Sequence, residues 1–275
     1  MRPELFIFLL LVIAGMVWFI TAPRRRRARQ RRYREPPFPP AWRAILRADM
    51  PMYRQLPSDL QRQLQKHIQV FLAEKNFVGC QGLEVTEPMR VLIAAQACLL
   101  ILNRPTDFFP NMTEILVYPD AFMVERDVAD EAGVVHRVRH AVSGESWADS
   151  QVVLSWPDVL AGAARADDAY NVVIHEFAHQ LDHESGASNG APVLRDREQA
   201  ATWAAVFSDE FEKLHEHLAR GEPSLLDDYG AQDPVEFFAV ASETFFEKPD
   251  RLKNEHGELY RALTRFYCVD PGSWR

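Results

Sequence analysis

The sequence predicts an α+β fold, a mostly helical domain with a small mixed sheet, preceded by one apolar N-terminal helix. Three observations carry that expectation. Apolar residues recur at helical spacing through much of residues 56–102 and again through nearly all of the chain beyond residue 156. Between them, β-branched and aromatic runs at residues 114–118, 121–125 and 151–156 read as strands. Residues 5–22 form an almost unbroken apolar run of 18 residues, just long enough to cross a bilayer as a helix.

That run carries Trp18 near its end and is followed at once by Arg24, Arg25, Arg26, Arg27, Arg29, Arg31, Arg32 and Arg34. Such a block resists translocation, so it is expected to stay cytoplasmic with the N-terminus outside. A cleaved leader would carry its charge before the apolar stretch, and here the charge follows it. Residues 1–23 therefore read as a single-pass transmembrane anchor. Residues 24–41 read as a basic, proline-rich linker, because Glu35-Pro36-Pro37-Phe38-Pro39-Pro40 is stiff and extended. The folded domain is expected over residues 42–275.

Hydrophobic residues make up 47% of the chain and aromatic ones 11%, enough for a substantial core rather than a disordered tail. Cys80, Cys98 and Cys268 are odd in number, widely spaced and free of any CxxC, which excludes a disulfide framework and a cysteine-based metal site. Cys98 lies in an apolar run and is expected in the core. Nine arginines and one glutamate fall in residues 1–34, leaving 22 basic against 38 acidic side chains in residues 35–275. A net charge of −16 there argues against a nucleic-acid-binding surface.

In the domain, Leu56-Pro57-Ser58-Asp59 caps a helix to about Lys75, and Thr86-Glu87-Pro88 opens an apolar one that runs from Val91 to Leu102. The strands at 114–118 and 121–125 flank Pro119-Asp120 as though joined by a short connection, and 151–156 makes a third. That third strand offers an edge on which an extended peptide could pair. Helices follow at about 157–165, 169–184, 196–219, 234–247 and 256–266.

The helix at 169–184 carries His175-Glu176-Phe177-Ala178-His179. Two imidazoles four residues apart share a helix face and can bind one metal ion, with the adjacent glutamate acting on a metal-bound water. The surrounding residues are apolar, so these polar groups need partners; an unpaired one costs on the order of 1–3 kcal/mol. A catalytic zinc site needs a third protein ligand and leaves a fourth position open. A metzincin would place a histidine six residues after His179, but Ser185 stands there. His183 is a turn beyond, yet three histidines along one helix would span about 12 Å, too far for a single ion.

Farther on, Asp233 and Pro234 open a helix with Glu236 in its first turn. Glu236 can supply the third ligand or can close a capping box on Asp233. Glu243 shares its face and is the rival ligand. Asp182 could accept a histidine ring N–H or form a structural salt bridge.

At these residues the chain resembles the Mlc titration factor A family of bacterial zinc peptidases. The likeness rests on the segment from His175 to Asp182 and on the run from Pro234 to Phe246. It extends upstream through Pro51-Met52-Tyr53-Arg54-Gln55-Leu56-Pro57, Phe71-Leu72-Ala73-Glu74-Lys75 and Ile93-Ala94-Ala95-Gln96-Ala97-Cys98, covering about residues 36–271. A more distant similarity links Tyr229 and Glu236 to the catalytic domain of anthrax lethal factor, of the gluzincin type.

The resemblance implies a gluzincin-like zinc peptidase domain. One Zn2+ per chain would be held by His175, His179 and Glu236. Glu176 would be the general base, and Tyr229 a hydroxyl donor to the developing oxyanion. A peptide or protein would be the substrate. With the anchor, the expected location is the bacterial inner membrane, single-pass, with the catalytic domain cytoplasmic. The family name also raises a different function, in which a membrane-tethered module sequesters a cytoplasmic regulatory protein and keeps its metal mainly for structure.

Overall fold

The computed structural model describes residues 3–274 except 106, 121, 130–134, 143, 148, 149 and 166; for residues 3–10, 14, 122–129, 135–142 and 144–147 it describes the backbone alone. Helix α1 (Pro3–Arg34) runs without a break from the apolar stretch through the arginine block. From Leu11 to Ile20 its described large apolar side chains are exposed, Phe19 to 80%. Among the described residues no helix is long and apolar enough to cross a membrane. The first third of the expected 5–22 span lies outside the described side chains.

The basic half of α1 lies against the body of the protein. Arg26 Nη2 donates to the Asp107 carbonyl at 2.6 Å, and Arg26 and Arg29 face Glu74 at 3.6 and 3.5 Å. The proline-rich segment expected as a stiff, extended linker is also in contact with the domain. Phe38 is buried edge-on to Trp42, and Gln69 Nε2 donates to the Pro36 carbonyl at 2.9 Å.

Helices α2 (Pro40–Asp49) and α3 (Pro51–Gln55) lead into α4 (Ser58–Glu74). Leu60, Leu64, His67, Ile68 and Phe71 recur along one buried face of α4, as the helical period requires. Helix α5 (Glu87–Leu99) starts at Thr86 with Pro88 in its first turn and is buried on every side from Val91 onward, Cys98 included.

The sheet is mixed. Strand β1 (Asn76–Gly79), which the sequence reading missed, pairs parallel with β2 (Glu114–Tyr118), and β2 pairs parallel with β6 (Gln151–Ser155). Strand β5 (Gly144–Trp147) completes it antiparallel to β6. The strands at 114–118 and 121–125 are joined by the expected short connection but do not pair with each other. Strand β3 (Phe122–Ala129) instead pairs with β4 (Val135–Val142) as a separate antiparallel ribbon. Parallel pairing joins residues far apart in the chain, so Pro119-Asp120 leads out of the sheet rather than back along it. The strand expected at 151–156 is interior, flanked by β2 and β5, and therefore offers no edge to a peptide.

Ser155 ends β6, and helix α6 (Trp156–Ala164) follows directly with Pro157 in its first turn. Helix α7 (Val172–His183) crosses beside β5 and β6. Helices α8 (Arg197–Arg220), α9 (Pro234–Glu247), α10 (Pro249–Glu255) and α11 (Gly257–Tyr267) complete the domain. Phe177, in the middle of α7, packs against Phe71 of α4 and Phe109, with ring centroids 5.6 and 4.8 Å away. The underside of the histidine helix is thereby fixed in the core.

His67 makes the core sensitive to acid. It is buried edge-on to Phe108, and burial, reinforced by the nearby Arg34 guanidinium, lowers its pKa from 6.5 to about 3. The unfolded chain takes up this proton as pH falls through 6.5, whereas the native chain resists until about 3. Native stability is therefore lost across that window, by up to about 1.4 kcal/mol per pH unit. Melting temperatures of His67→Leu should fall less steeply than wild type between pH 6.5 and 4; parallel slopes would refute the assignment.

Candidate metal centre

Helix α7 begins where Asn171 caps it, the side-chain oxygen accepting the Ile174 N–H at 3.0 Å. Four residues on, His175 leaves the apolar wall, and His179 stands one turn above it with ring centroids 4.8 Å apart. Helix α9 delivers the third group. Asp233 caps it by accepting from the backbone N–H of Val235 and Glu236 at 2.8 and 3.0 Å. The Glu236 carboxylate turns to the histidines, with Oε2 3.0 Å from His175 Nε2 and 3.4 Å from His179 Nε2.

One ligand atom from each of His175, His179 and Glu236 lies within 4.8 Å of the others. Donors about 2.1 Å from a tetrahedral ion stand about 3.4 Å from one another, and the two Glu236 contacts, at 3.0 and 3.4 Å, lie near the edges of such a site. Nitrogen and carboxylate oxygen are also the donors that a borderline divalent ion selects. The residues fit a bound cation.

The electrostatics agree. Burial alone would push the His175 pKa down, but Glu236 and Glu243 outweigh it and hold it well above its ordinary value, with Glu176 adding to the field. Burial would raise Glu236, yet hydrogen bonds from His175 and His179 bring it far below the usual carboxylate range. Buried acids therefore surround the imidazoles and favour positive charge between them.

Glu243, the rival ligand, does not join the three. Its Oε1 meets the other ring nitrogen, His175 Nδ1, at 2.8 Å. Glu176 is buried beside the first histidine. Tyr229 lies in a 3-10 turn (Asp228–Ala231), where its N–H donates to Asp227 Oδ1 at 2.9 Å. Its half-exposed ring stands 5.8 Å from the His175 ring. His183 turns away, its Nε2 3.1 Å from Ser188 Oγ.

Asp182 plays a part that the sequence did not suggest. Its Oδ2 accepts the backbone N–H of Asn189 and Gly190 at 2.9 and 2.8 Å, and Trp203 Nε1 donates to the Gly190 carbonyl at 3.0 Å. Gly190 has φ +73°, and a Cβ there would stand 2.2 Å from the Pro234 carbonyl oxygen. Asp182 thus ties the loop after α7 against the first turn of α9, the turn that carries Glu236. Asn171 was also overlooked, although a capping residue ahead of an apolar run is a readable signal.

A profile of the glucose-regulated metallo-peptidase M90 family matches residues 24–268. An uncharacterized protein of Synechocystis is 39% identical over 264 residues, 95% of this chain and 96% of its own. Mlc titration factor A of Yersinia enterocolitica is 32% identical over 84% of this chain and 85% of its own, and that of Klebsiella pneumoniae is 34% identical over 81% and 84%.

Proposed function

Because this chain belongs to the M90 metallopeptidases, the Mlc titration factor A family, we propose that it is a zinc-dependent peptidase of the gluzincin type. The observation that carries this reading is the convergence of His175, His179 and Glu236 donors within 4.8 Å of one another beside Glu176. These three residues would hold one zinc ion. When bound there, zinc lowers the pKa of a coordinated water toward about 7 and polarises a carbonyl.

The chain's own groups do the remaining work. Glu176 accepts the proton of the attacking water and passes it to the departing amine, so that the acid and amine products balance the water consumed. The Tyr229 hydroxyl, on a ring 5.8 Å from that of His175, donates to the carbonyl oxygen as negative charge gathers on it. Strand β5 pairs only with β6 among the described residues, so its outer edge is where an extended peptide can add by backbone hydrogen bonds.

Incubation of the full chain with a peptide library tests the proposal. Cleavage should stop with a chelator and return with zinc, and Tyr229→Phe should lower kcat about 100-fold without loss of metal. Cleavage indifferent to chelation would refute it, as would an absence of cleavage by the zinc-loaded chain.

A second reading draws on the curated relatives, whose name describes them as titration factors for Mlc. On that reading this chain binds a regulatory protein of the same kind.

For location, the 18-residue apolar run and the arginines behind it support a single-pass anchor in the bacterial inner membrane with the domain cytoplasmic. The full chain should sediment with bacterial membranes and resist carbonate extraction, and removal of residues 1–22 should release it. Recovery of the full chain in the soluble fraction would overturn the anchor.

A further inference from the structure

We propose that Glu243 is a positioning residue for the metal centre: it holds His175 with the ring proton on Nδ1 and Nε2 turned toward the ion. The inference rests on the reading of His175, His179 and Glu236 as ligands. An imidazole binds a metal through an unprotonated nitrogen, so its single proton must sit on the other one. His175 Nε2 faces Glu236 at 3.0 Å, and Nδ1 faces Glu243 Oε1 at 2.8 Å. With Nε2 turned to the ion the ring proton belongs on Nδ1, where the Glu243 carboxylate, which accepts and cannot donate, holds it.

Glu243 is itself locked in place. Its Oε2 accepts the backbone N–H of Asn171, the capping residue of α7. The Asn171 side chain donates through Nδ2 to the Gly162 carbonyl at 3.2 Å and to Glu247 Oε1 at 3.0 Å. Asn171, Glu243 and Glu247 are at most 4% exposed. Glu236, Glu243 and Glu247 all lie on α9, spaced at whole turns. One helix therefore carries a ligand, the group that orients another ligand, and the group that fixes the cap of the histidine helix.

Glu243→Gln separates positioning from packing. It keeps the side-chain volume and one acceptor oxygen, but its amide cannot accept from both His175 and Asn171. In the full chain, zinc affinity measured by chelator competition should fall about 10- to 100-fold. Nitrogen-15 spectra of the zinc-loaded wild type should show His175 protonated at Nδ1, a signal lost or shifted in Glu243→Gln. Ser242→Ala removes the hydroxyl that meets the Tyr267 hydroxyl at 2.7 Å on the same helix; it should lower the melting temperature and leave zinc affinity and the His175 signal unchanged.

The proposal is overturned if Glu243→Gln binds zinc within about threefold of wild type and keeps the Nδ1 proton, or if Ser242→Ala weakens zinc equally. A wild-type spectrum with the proton on Nε2 overturns it without any variant. Unaltered zinc binding in Glu236→Ala would instead bring down the metal-site reading beneath it.

Discussion

Glu176→Gln should leave the chain folded and loaded with zinc while peptide hydrolysis falls by about 100- to 10,000-fold, the usual contribution of a positioned general base. That loss corresponds to about 3–5 kcal/mol of transition-state stabilisation. The amide has nearly the carboxylate's shape, so the buried position beside His175 need not rearrange. What it lacks is the ability to take a proton from water. The comparison to make is kcat/KM on a cleaved peptide, beside zinc content and melting temperature of the same preparation. A variant with intact zinc and undiminished hydrolysis would remove Glu176 from the mechanism. The same variant divides the two functional readings: if it loses hydrolysis yet keeps its full biological effect, binding of a regulatory protein, not cleavage, is the function.

Glu236→Ala should abolish stoichiometric metal. The wild-type chain is expected to carry about one zinc, and the variant to lose it on dialysis because two histidines alone leave the site a ligand short. Stability should follow, since an ion bound only by the native state adds about 4 kcal/mol when present at a thousand times its dissociation constant. Zinc should thus raise the wild-type melting temperature by several degrees and leave that of Glu236→Ala unmoved. In Glu243→Ala the ion should still bind at saturating zinc, because the side chain lost there touches His175 Nδ1 and not the donor cluster. Zinc retained in Glu236→Ala and lost in Glu243→Ala would reverse the ligand assignment.

Much of the helical frame was legible because its signals are local. Asp233-Pro234 opens α9 where a cap and a first-turn proline stand together, and Glu247 ends it at the expected residue. Helices α4, α6, α7, α8 and α11 lie within a few residues of their expected bounds. The sheet was less legible. β1 is four residues long and gains its identity only by lying parallel to β2, and the short connection between β2 and β3 did not reveal that each pairs with a different strand. Expected parts of α1 and of the 121–125 strand have side chains outside the described residues.

By itself the sequence pointed to two candidate ligands, a candidate base between them, and a helix with two glutamates on one face. Each of these depends on the period of a single helix, which the order of residues fixes. It left open which glutamate would bind, because Glu236 and Glu243 lie seven residues apart, about 10 Å along the axis, and cannot both reach one ion. Only the packing of α9 across α7 places Glu236, and not Glu243, beside both Nε2 atoms. The crossing sets the first turn of α9 against both Nε2 atoms and the second half against Nδ1 and the Asn171 cap. That height is set by contacts between residues remote in the chain, including Gly190 against Pro234 and Asp182 beneath the loop. No local pattern encodes it.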